Sequence, residues 1–196
     1  MKIGVLALQG AFIEHTAMLR KLEVNTCQVR LPQDLAGLDG LIIPGGESST
    51  ISKLMIVYDL MDELKALAEG GLPILGTCAG MILLAKEVTD TKVQSLRIMD
   101  IKVRRNAFGR QLNSFETDME VPALGDGRFH ATFIRAPVIE EAGPRVEILA
   151  RLPDGRCVAA RQGNLVATAF HPELTTDLRF HSYFLDIATR NGICAN

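Results

Sequence analysis

The sequence predicts an α/β protein: a mixed sheet with a parallel centre, an antiparallel extension and helices on both faces. Three observations predict it. In the first half, short apolar runs alternate with helix-like segments, the pattern of a parallel sheet covered on both sides. In the second half, strand-like runs follow one another without long helices between them. The last of these are joined by Pro153-Asp154-Gly155 and Gly163-Asn164, both turn sequences.

In chain order, Lys2 to Leu8 is an apolar, β-prone run closed by Gln9-Gly10. From Ala11 to Leu22, Phe12, Met18, Leu19 and Leu22 approximate one helical face. Thr26 to Leu31 reads as a strand stopped by Pro32. Leu41-Ile42-Ile43 is another, cut off by Pro44-Gly45-Gly46, after which Ser48, Ser49 and Thr50 are available as helix N-caps. A helix from Leu60 to Ala68 ends at Gly70-Gly71. Pro73 to Gly76 is a fourth strand, and Met81 to Val88 reads as a helix. Strand patterns then cover Ile98 to Arg104, Ser114 to Val121 and Phe129 to Ile134. A meander follows, over Val146 to Leu152, Cys157 to Gln162 and Leu165 to Phe170. An amphipathic helix from Leu178 to Thr189 closes the series. No internal repeat, low-complexity tract or linker interrupts it, so one domain over residues 1–196 is expected.

Composition narrows the functional classes. The chain is 47% apolar and 22% charged, with a net charge of −2. That balance argues against nucleic acid or an anionic membrane as the main partner. The longest basic cluster is Lys102-Val103-Arg104-Arg105. Met1-Lys2 leads straight into a short apolar run without signal-peptide character, and no run approaches the ~20 residues of a bilayer span. The four cysteines, Cys27, Cys78, Cys157 and Cys194, show no C-x-x-C spacing. A reduced, cytoplasmic setting is therefore expected. Cys27 and Cys157 lie in strand-like runs that suit small core residues, and Cys194 lies in a tail. Only Cys78 has unusual surroundings.

Those surroundings are Gly76-Thr77-Cys78-Ala79-Gly80, the cysteine form of a nucleophile elbow between a strand and a helix. The glycines allow a tight turn that lifts the side chain above the sheet. The first-turn amides of the helix favour a thiolate, and the Ala79 N–H points where an oxyanion would form. A tight turn around a buried cysteine is the bland alternative. A thiol needs a base, and four histidines are present. His15 and His181 lie on predicted helices, where packing or solvation would explain them, and His130 is uninformative. His171 closes an apolar strand in Phe170-His171-Pro172-Glu173. In an extended segment, side chains two apart face the same way. Glu173 would then hold one ring nitrogen and leave the other for the thiol. Alone, His-Pro-Glu is equally consistent with a surface turn. The third element is Pro44-Gly45-Gly46-Glu47-Ser48-Ser49. Two glycines bring bare amides close to a ligand, as in an oxyanion hole or a phosphate cradle. Lys53 is misplaced for a P-loop, and a plain helix-capping turn is the alternative.

Together these three segments resemble the class I (triad) glutamine amidotransferases and, within them, the glutaminase subunits of pyridoxal 5′-phosphate synthase. The narrower resemblance runs nearly end to end. It rests on Gly4-Val5-Leu6-Ala7-Leu8-Gln9-Gly10, Arg105-Asn106-Ala107-Phe108-Gly109-Arg110-Gln111, Ser114-Phe115-Glu116, Phe133-Ile134-Arg135-Ala136-Pro137 and Phe170-His171-Pro172-Glu173-Leu174-Thr175. It implies a flavodoxin-like fold with helices on both faces. It further implies Cys78 as nucleophile, His171 as general base and acid, and Glu173 as its orienter. Gly46 and Ala79 would supply the oxyanion hole. Glutamine would be held by Gly46, Glu47, Ser48, Arg105, Ile134 and Arg135, an arginine fork suiting its α-carboxylate. Gln9 and Gly10 would contact a synthase subunit that accepts the ammonia. No metal or cofactor is implied. From Val93 to Met99 the chain lacks the glycine many relatives carry.

Two other classes remain open at this point. One is a different cysteine hydrolase or peptidase of related fold, though those typically lack the His-Pro-Glu strand end and the arginines. The other is a regulatory subunit that has lost turnover.

Overall fold

The computed structural model describes residues 1–89, 93–108 and 114–194, the side chains of 192–194 excepted. Gly109, Arg110 and Gln111 of the arginine-rich segment therefore lie outside the described residues. The first half alternates as expected: β1 (Lys2–Leu6), α1 (Phe12–Lys21), β2 (Asn25–Val29), β3 (Gly40–Ile43), α2 (Ser48–Val57), α3 (Leu60–Glu69) and β4 (Ile74–Thr77). The four strands are parallel, with β1 between β2 and β3 and with β4 beside β3. The side chains of β3 and β4 are buried throughout, which explains their unbroken apolar sequence.

Two expectations need correcting here. None of Ser48, Ser49 and Thr50 caps α2; Glu47 does, its carboxylate accepting a hydrogen bond from the Ser49 N–H at 3.1 Å. Nor does a helix cover Met81 to Val88. After α4 (Ala79–Leu84) the chain turns at Ala85 into the strand β5 (Ala85–Thr89). β5 pairs in parallel with β6 (Met99–Arg104), and this tertiary pairing overrides local helix preference.

The second half holds β7 (Ser114–Met119), β8 (Phe129–Ile134), β9 (Val138–Ala142), β10 (Glu147–Arg151), β11 (Cys157–Gln162), β12 (Leu165–Thr168) and α5 (Arg179–Cys194). The sheet order is β2-β1-β3-β4-β12-β11-β9-β6-β5, with β10 also on β11 and β7–β8 a separate antiparallel pair. β12 returns in parallel beside β4, so the parallel centre has five strands. From β12 onward the pairs β12–β11, β11–β9 and β9–β6 are antiparallel, and β5 at the edge is parallel to β6. The predicted parallel centre and antiparallel extension are thus both present. β9 was not anticipated. Its Glu140 and Glu141 hide a strand pattern, and both face cations across the ladder, Arg104 at 3.2 Å and Lys102 at 2.9 Å. α5 continues to Cys194 rather than stopping at Thr189, so Cys194 belongs to a helix. Cys27 and Cys157 are half-buried at the margin of the core, not inside it.

An aromatic cluster fixes the antiparallel pair β7–β8 against the sheet. Phe115 and Phe133 stack with centroids 4.5 Å apart, and Phe170 meets both Phe133 and Phe129. Burying a phenylalanine side chain is worth about 1.5–3 kcal/mol. This packing sets the end of β8, where Ile134 and Arg135 stand over the C-terminal edge of the parallel strands. In doubly wound sheets that edge is where ligands bind.

Candidate active site

The elbow forms at the end of β4. Cys78 has φ 49 and ψ −99, a left-handed value uncommon for a residue with a side chain. Its N–H donates to the Thr168 carbonyl at 2.7 Å, tying the turn to β12. The flanking glycines are sterically required. A Cβ on Gly80 would lie 2.1 Å from the Ile43 oxygen, and one on Gly76 would lie 2.7 Å from the Gly80 carbonyl. The helix behind the elbow, α4, has six residues, shorter than its sequence suggests.

His171 and Glu173 do come together, though not by strand alternation. β12 ends at Thr168, and Pro172 cannot donate to a ladder. The chain forms instead a one-turn 3-10 helix over Pro172–Leu174. Within that turn, His171 Nδ1 and Glu173 Oε1 are 2.7 Å apart, and the Glu173 side chain is fully buried. The carboxylate can only accept, so Nδ1 carries the proton and Nε2 is left for the thiol. The His171 N–H donates to the Thr132 carbonyl at 2.9 Å, which locks the turn to β8. Gly45 lines the same space: a Cβ there would lie 2.3 Å from His171 Cε1 and 3.4 Å from Cys78 Cβ.

Electrostatics sort the histidines. Burial opposes a charge on His171, but hydrogen bonds to Cys78 and Glu173, and their negative charges, outweigh it and raise the imidazole to about 10. Burial likewise opposes charge on Glu173. Contacts with His15 and His171 reverse that and hold the carboxyl below its usual range. His15 and His181 are fully buried, and burial pushes both down, His181 to about 3. The packing or solvation expected for these two from sequence gives way to a place beside the site. His15 Nε2 is 3.3 Å from Glu173 Oε2, and His15 Nδ1 is 3.0 Å from His181 Nε2. His130 is exposed on β8, between Asp118 and Glu116, away from this site.

The turn after β3 is held from both sides. The Gly45 N–H donates to Thr77 Oγ1 at 3.0 Å, and its carbonyl accepts from the Ala11 N–H at 3.0 Å. The Glu47 N–H donates to Gln9 Oε1 at 2.7 Å. Gly10, with φ 101, lies so close that a Cβ would sit 1.9 Å from the Gly45 oxygen. Gln9 thus lines the site itself, beyond the partner-contact role expected from sequence.

A cavity of about 230 Å³ joins these pieces. Its lining includes Gly46, Glu47, Ser48, Cys78, Ala79, Arg105, Ile134, Arg135 and His171. Every residue that the resemblance implied for catalysis or glutamine binding lines it, except Glu173, which is buried behind His171. Arg105 reaches the Glu47 carboxylate at 2.9 Å, and the Ser48 hydroxyl is buried without a hydrogen-bond partner among the described residues. Cys78, Asn106 and Arg135 all carry positive φ and all line the cavity. Asn106 was not assigned a role from sequence, although it follows Arg105 directly. A larger cavity of about 630 Å³ lies by β5, β6 and β9, but its lining contains no cysteine or histidine.

The SNO glutamine amidotransferase family matches residues 5–190. The chain belongs to that family. Among curated relatives, one from Herpetosiphon aurantiacus is 60% identical over 190 residues, covering 95% of this chain and 100% of the relative. One from Moorella thermoacetica is 57% identical over 185 residues, covering 94% and 98%. Both bear the name pyridoxal 5′-phosphate synthase subunit PdxT. A solved structure described as a glutamine amidotransferase superposes with a TM-score of 0.90 at 50% identity, covering 95% of this chain and 98% of the other. A glutamine amidotransferase from Thermotoga maritima, 14% identical with a TM-score of 0.63, shares the fold over 98% of this chain and 86% of its own. No helix among the described residues is long and apolar enough to cross a membrane.

Proposed function

We propose that this SNO-family chain hydrolyses L-glutamine to L-glutamate and ammonia in the cytoplasm, working as one glutaminase domain over residues 1–196. It supplies the ammonia to a pyridoxal 5′-phosphate synthase subunit. The observation that carries this reading is the convergence of Cys78, His171 and Glu173 under the Gly45–Gly46 turn. Cys78 gives its thiol proton to His171 Nε2, its Sγ attacks the side-chain amide carbon, and negative charge develops on the amide oxygen. The amides of Gly45 and Glu47 are already committed, which leaves the Gly46 N–H, with that of Ala79, as donors for this oxyanion. His171 passes its Nε2 proton to the departing nitrogen, so ammonia leaves and a thioester to Cys78 remains. Water, deprotonated by the now neutral His171, then cleaves the thioester and releases glutamate. Glu173 holds the ring throughout. Every step is carried by protein groups and water.

Gly46, Ser48, Ile134 and the two arginines, Arg105 and Arg135, hold the amino-acid end of glutamine, and the Glu47 carboxylate in the same lining suits its ammonium. The curated relatives are named as subunits of pyridoxal 5′-phosphate synthase, which supports the assignment of the partner. Gln9 and Gly10 are the contact we propose for it. The Gln9 side chain bonds the Glu47 N–H, one residue from Gly46. A partner pressing there acts directly on the oxyanion turn and completes it, so the free chain is expected to be weakly active.

The test is glutamate release from glutamine, measured for the chain alone and with a synthase subunit, for wild type and Cys78→Ala. Release that needs Cys78 and rises with the synthase subunit is the expected result. No release under either condition would refute the reading.

A further inference from the structure

Behind the proposed triad lie two buried imidazoles that the chemistry above does not use. His15 comes from α1 and His181 from α5, and neither is exposed to solvent. Their ring centroids are 5.2 Å apart, with His15 Nδ1 facing His181 Nε2 at 3.0 Å. His15 Nε2 faces two groups at once, Thr77 Oγ1 at 3.1 Å and Glu173 Oε2 at 3.3 Å. The approach to Oε2 is within ion-pair distance but too poorly aligned for a hydrogen bond, so that oxygen has no aligned donor among the described residues. Thr77 Oγ1 also accepts the Gly45 N–H. One ring therefore touches the elbow strand, the carboxylate that orients His171 and, through a hydroxyl, the oxyanion turn.

The protons can be placed by elimination. If Nε2 were bare, its lone pair would face a buried carboxylate, and His15 would donate from Nδ1 to His181 Nε2. His181 Nδ1 would then carry a buried N–H with no acceptor. The opposite arrangement removes both conflicts. Nε2–H of His15 points at Thr77 and passes its dipole to Glu173, while Nδ1 accepts from His181 Nε2–H. Among the described residues this leaves the His181 Nδ1 lone pair, Glu173 Oε2 and the Thr77 hydroxyl proton without an aligned partner, but no buried ring N–H.

We propose that His15 is a positioning residue for the glutaminase site. As the neutral Nε2–H tautomer, set by the donor His181, it holds Thr77 and the inner oxygen of Glu173 together. The nucleophile turn, the Gly45–Gly46 turn and the His171–Glu173 pair are then fixed as one unit. The proposal rests on the triad reading, and its test separates the two.

Glutamate release by the complex with the synthase subunit is measured for wild type, His15→Leu and His15→Gln. Leucine removes the donor, whereas the glutamine Nε2 reaches where the imidazole Nε2 lies. Misplacing reacting groups by about 1 Å can cost about 100-fold. His15→Leu is accordingly expected to lower kcat by roughly 10- to 100-fold with KM unchanged, because the glutamine-holding groups lie across the cavity. His15→Gln is expected to recover most of kcat. Wild-type kcat in folded His15→Leu overturns the proposal, as does a loss confined to KM. A wild-type complex that releases no glutamate overturns the triad reading instead. Should His15→Leu fail to fold, ring-nitrogen NMR of the wild-type chain near neutral pH decides. A protonated Nε2 and bare Nδ1 on His15 support the proposal, and the reverse tautomer overturns it.

Discussion

The two sides of the Glu173 carboxylate make an instructive pair. On the cavity side is His171, 7% exposed and raised to about 10. On the core side are His15 and His181, fully buried and pushed down. All three rings lie in the same neighbourhood, yet only one is held charged. What differs is the alignment of the bond to the carboxylate and the presence of a thiol. His171 has a direct bond at 2.7 Å and Cys78 beside it; His15 has an off-line approach at 3.3 Å. A single buried anion can stabilise one imidazolium well, and a second charge in the same low-dielectric space would be prohibitively costly.

Removing the anion should break this contrast most severely. Glu173→Gln leaves His171 without its counter-charge and allows the wrong tautomer. Loss of the comparable carboxylate in a serine protease triad costs about 10⁴-fold. A fall in kcat of about 10²- to 10⁴-fold is expected here, read as glutamate release with the synthase subunit present. Full activity in this variant would remove the orienting role of Glu173 and leave Cys78 and His171 to act without it.

A smaller effect is expected across the cavity. Arg105→Ala removes one cation proposed to meet the glutamine carboxylate and frees Glu47 from its ion pair. A charge-assisted hydrogen bond is worth about 1.5–3 kcal/mol. KM should therefore rise by roughly tenfold or more, while kcat changes little. A fall in kcat with KM unchanged would move Arg105 from substrate binding to the arrangement of the oxyanion turn.

The smallest expected effect is on stability, and its sign follows from the histidines. His15 and His181 bind protons less readily folded than unfolded, so stability falls as pH drops below their ordinary value of 6.5. His171 works the other way. Its contribution is complete below 6.5 and is lost as pH rises toward about 10. Glu173, held low, matters only below the ordinary carboxylate value of 4.5. The chain should be most stable near neutrality. Urea unfolding at about pH 7 and about pH 5.5 should show an acid loss of up to ~1.4 kcal/mol per pH unit for each buried imidazole. His181→Gln keeps a donor toward His15 but cannot take up a proton, so it should flatten this limb. An unchanged acid slope would mean that His181 is not the group being charged.

How far the sequence revealed all this differs between the same two sides. Cys78 was conspicuous because its glycines have a steric cause that sequence displays, and His171 because Pro172 and Glu173 follow it. His171 and Glu173 meet through the 3-10 turn that Pro172 starts, not through strand alternation. His15 and His181 were passed over, although their positions were readable. His15 falls in the stripe of Phe12, Leu19 and Leu22, and His181 lies three and four residues before the buried Phe184 and Leu185. Periodicity told that these rings point inward. It could not tell that α1 and α5 meet behind the same carboxylate, because that contact spans 166 positions of sequence. In the fold, β5 and β9 were missed for a similar reason: their pairing with β6, not their own pattern, makes them strands.

In the proposed reaction Cys78, and no other cysteine, carries the acyl group of glutamine. This is tested most directly with a glutamine analogue bearing a diazoketone in place of the side-chain amide, incubated with the complex and followed by intact mass and peptide mapping. A single adduct on Cys78, none on Cys27 or Cys157, and protection by glutamine are expected. An adduct on another residue, or glutamate release that survives in Cys78→Ala, would contradict that role for Cys78.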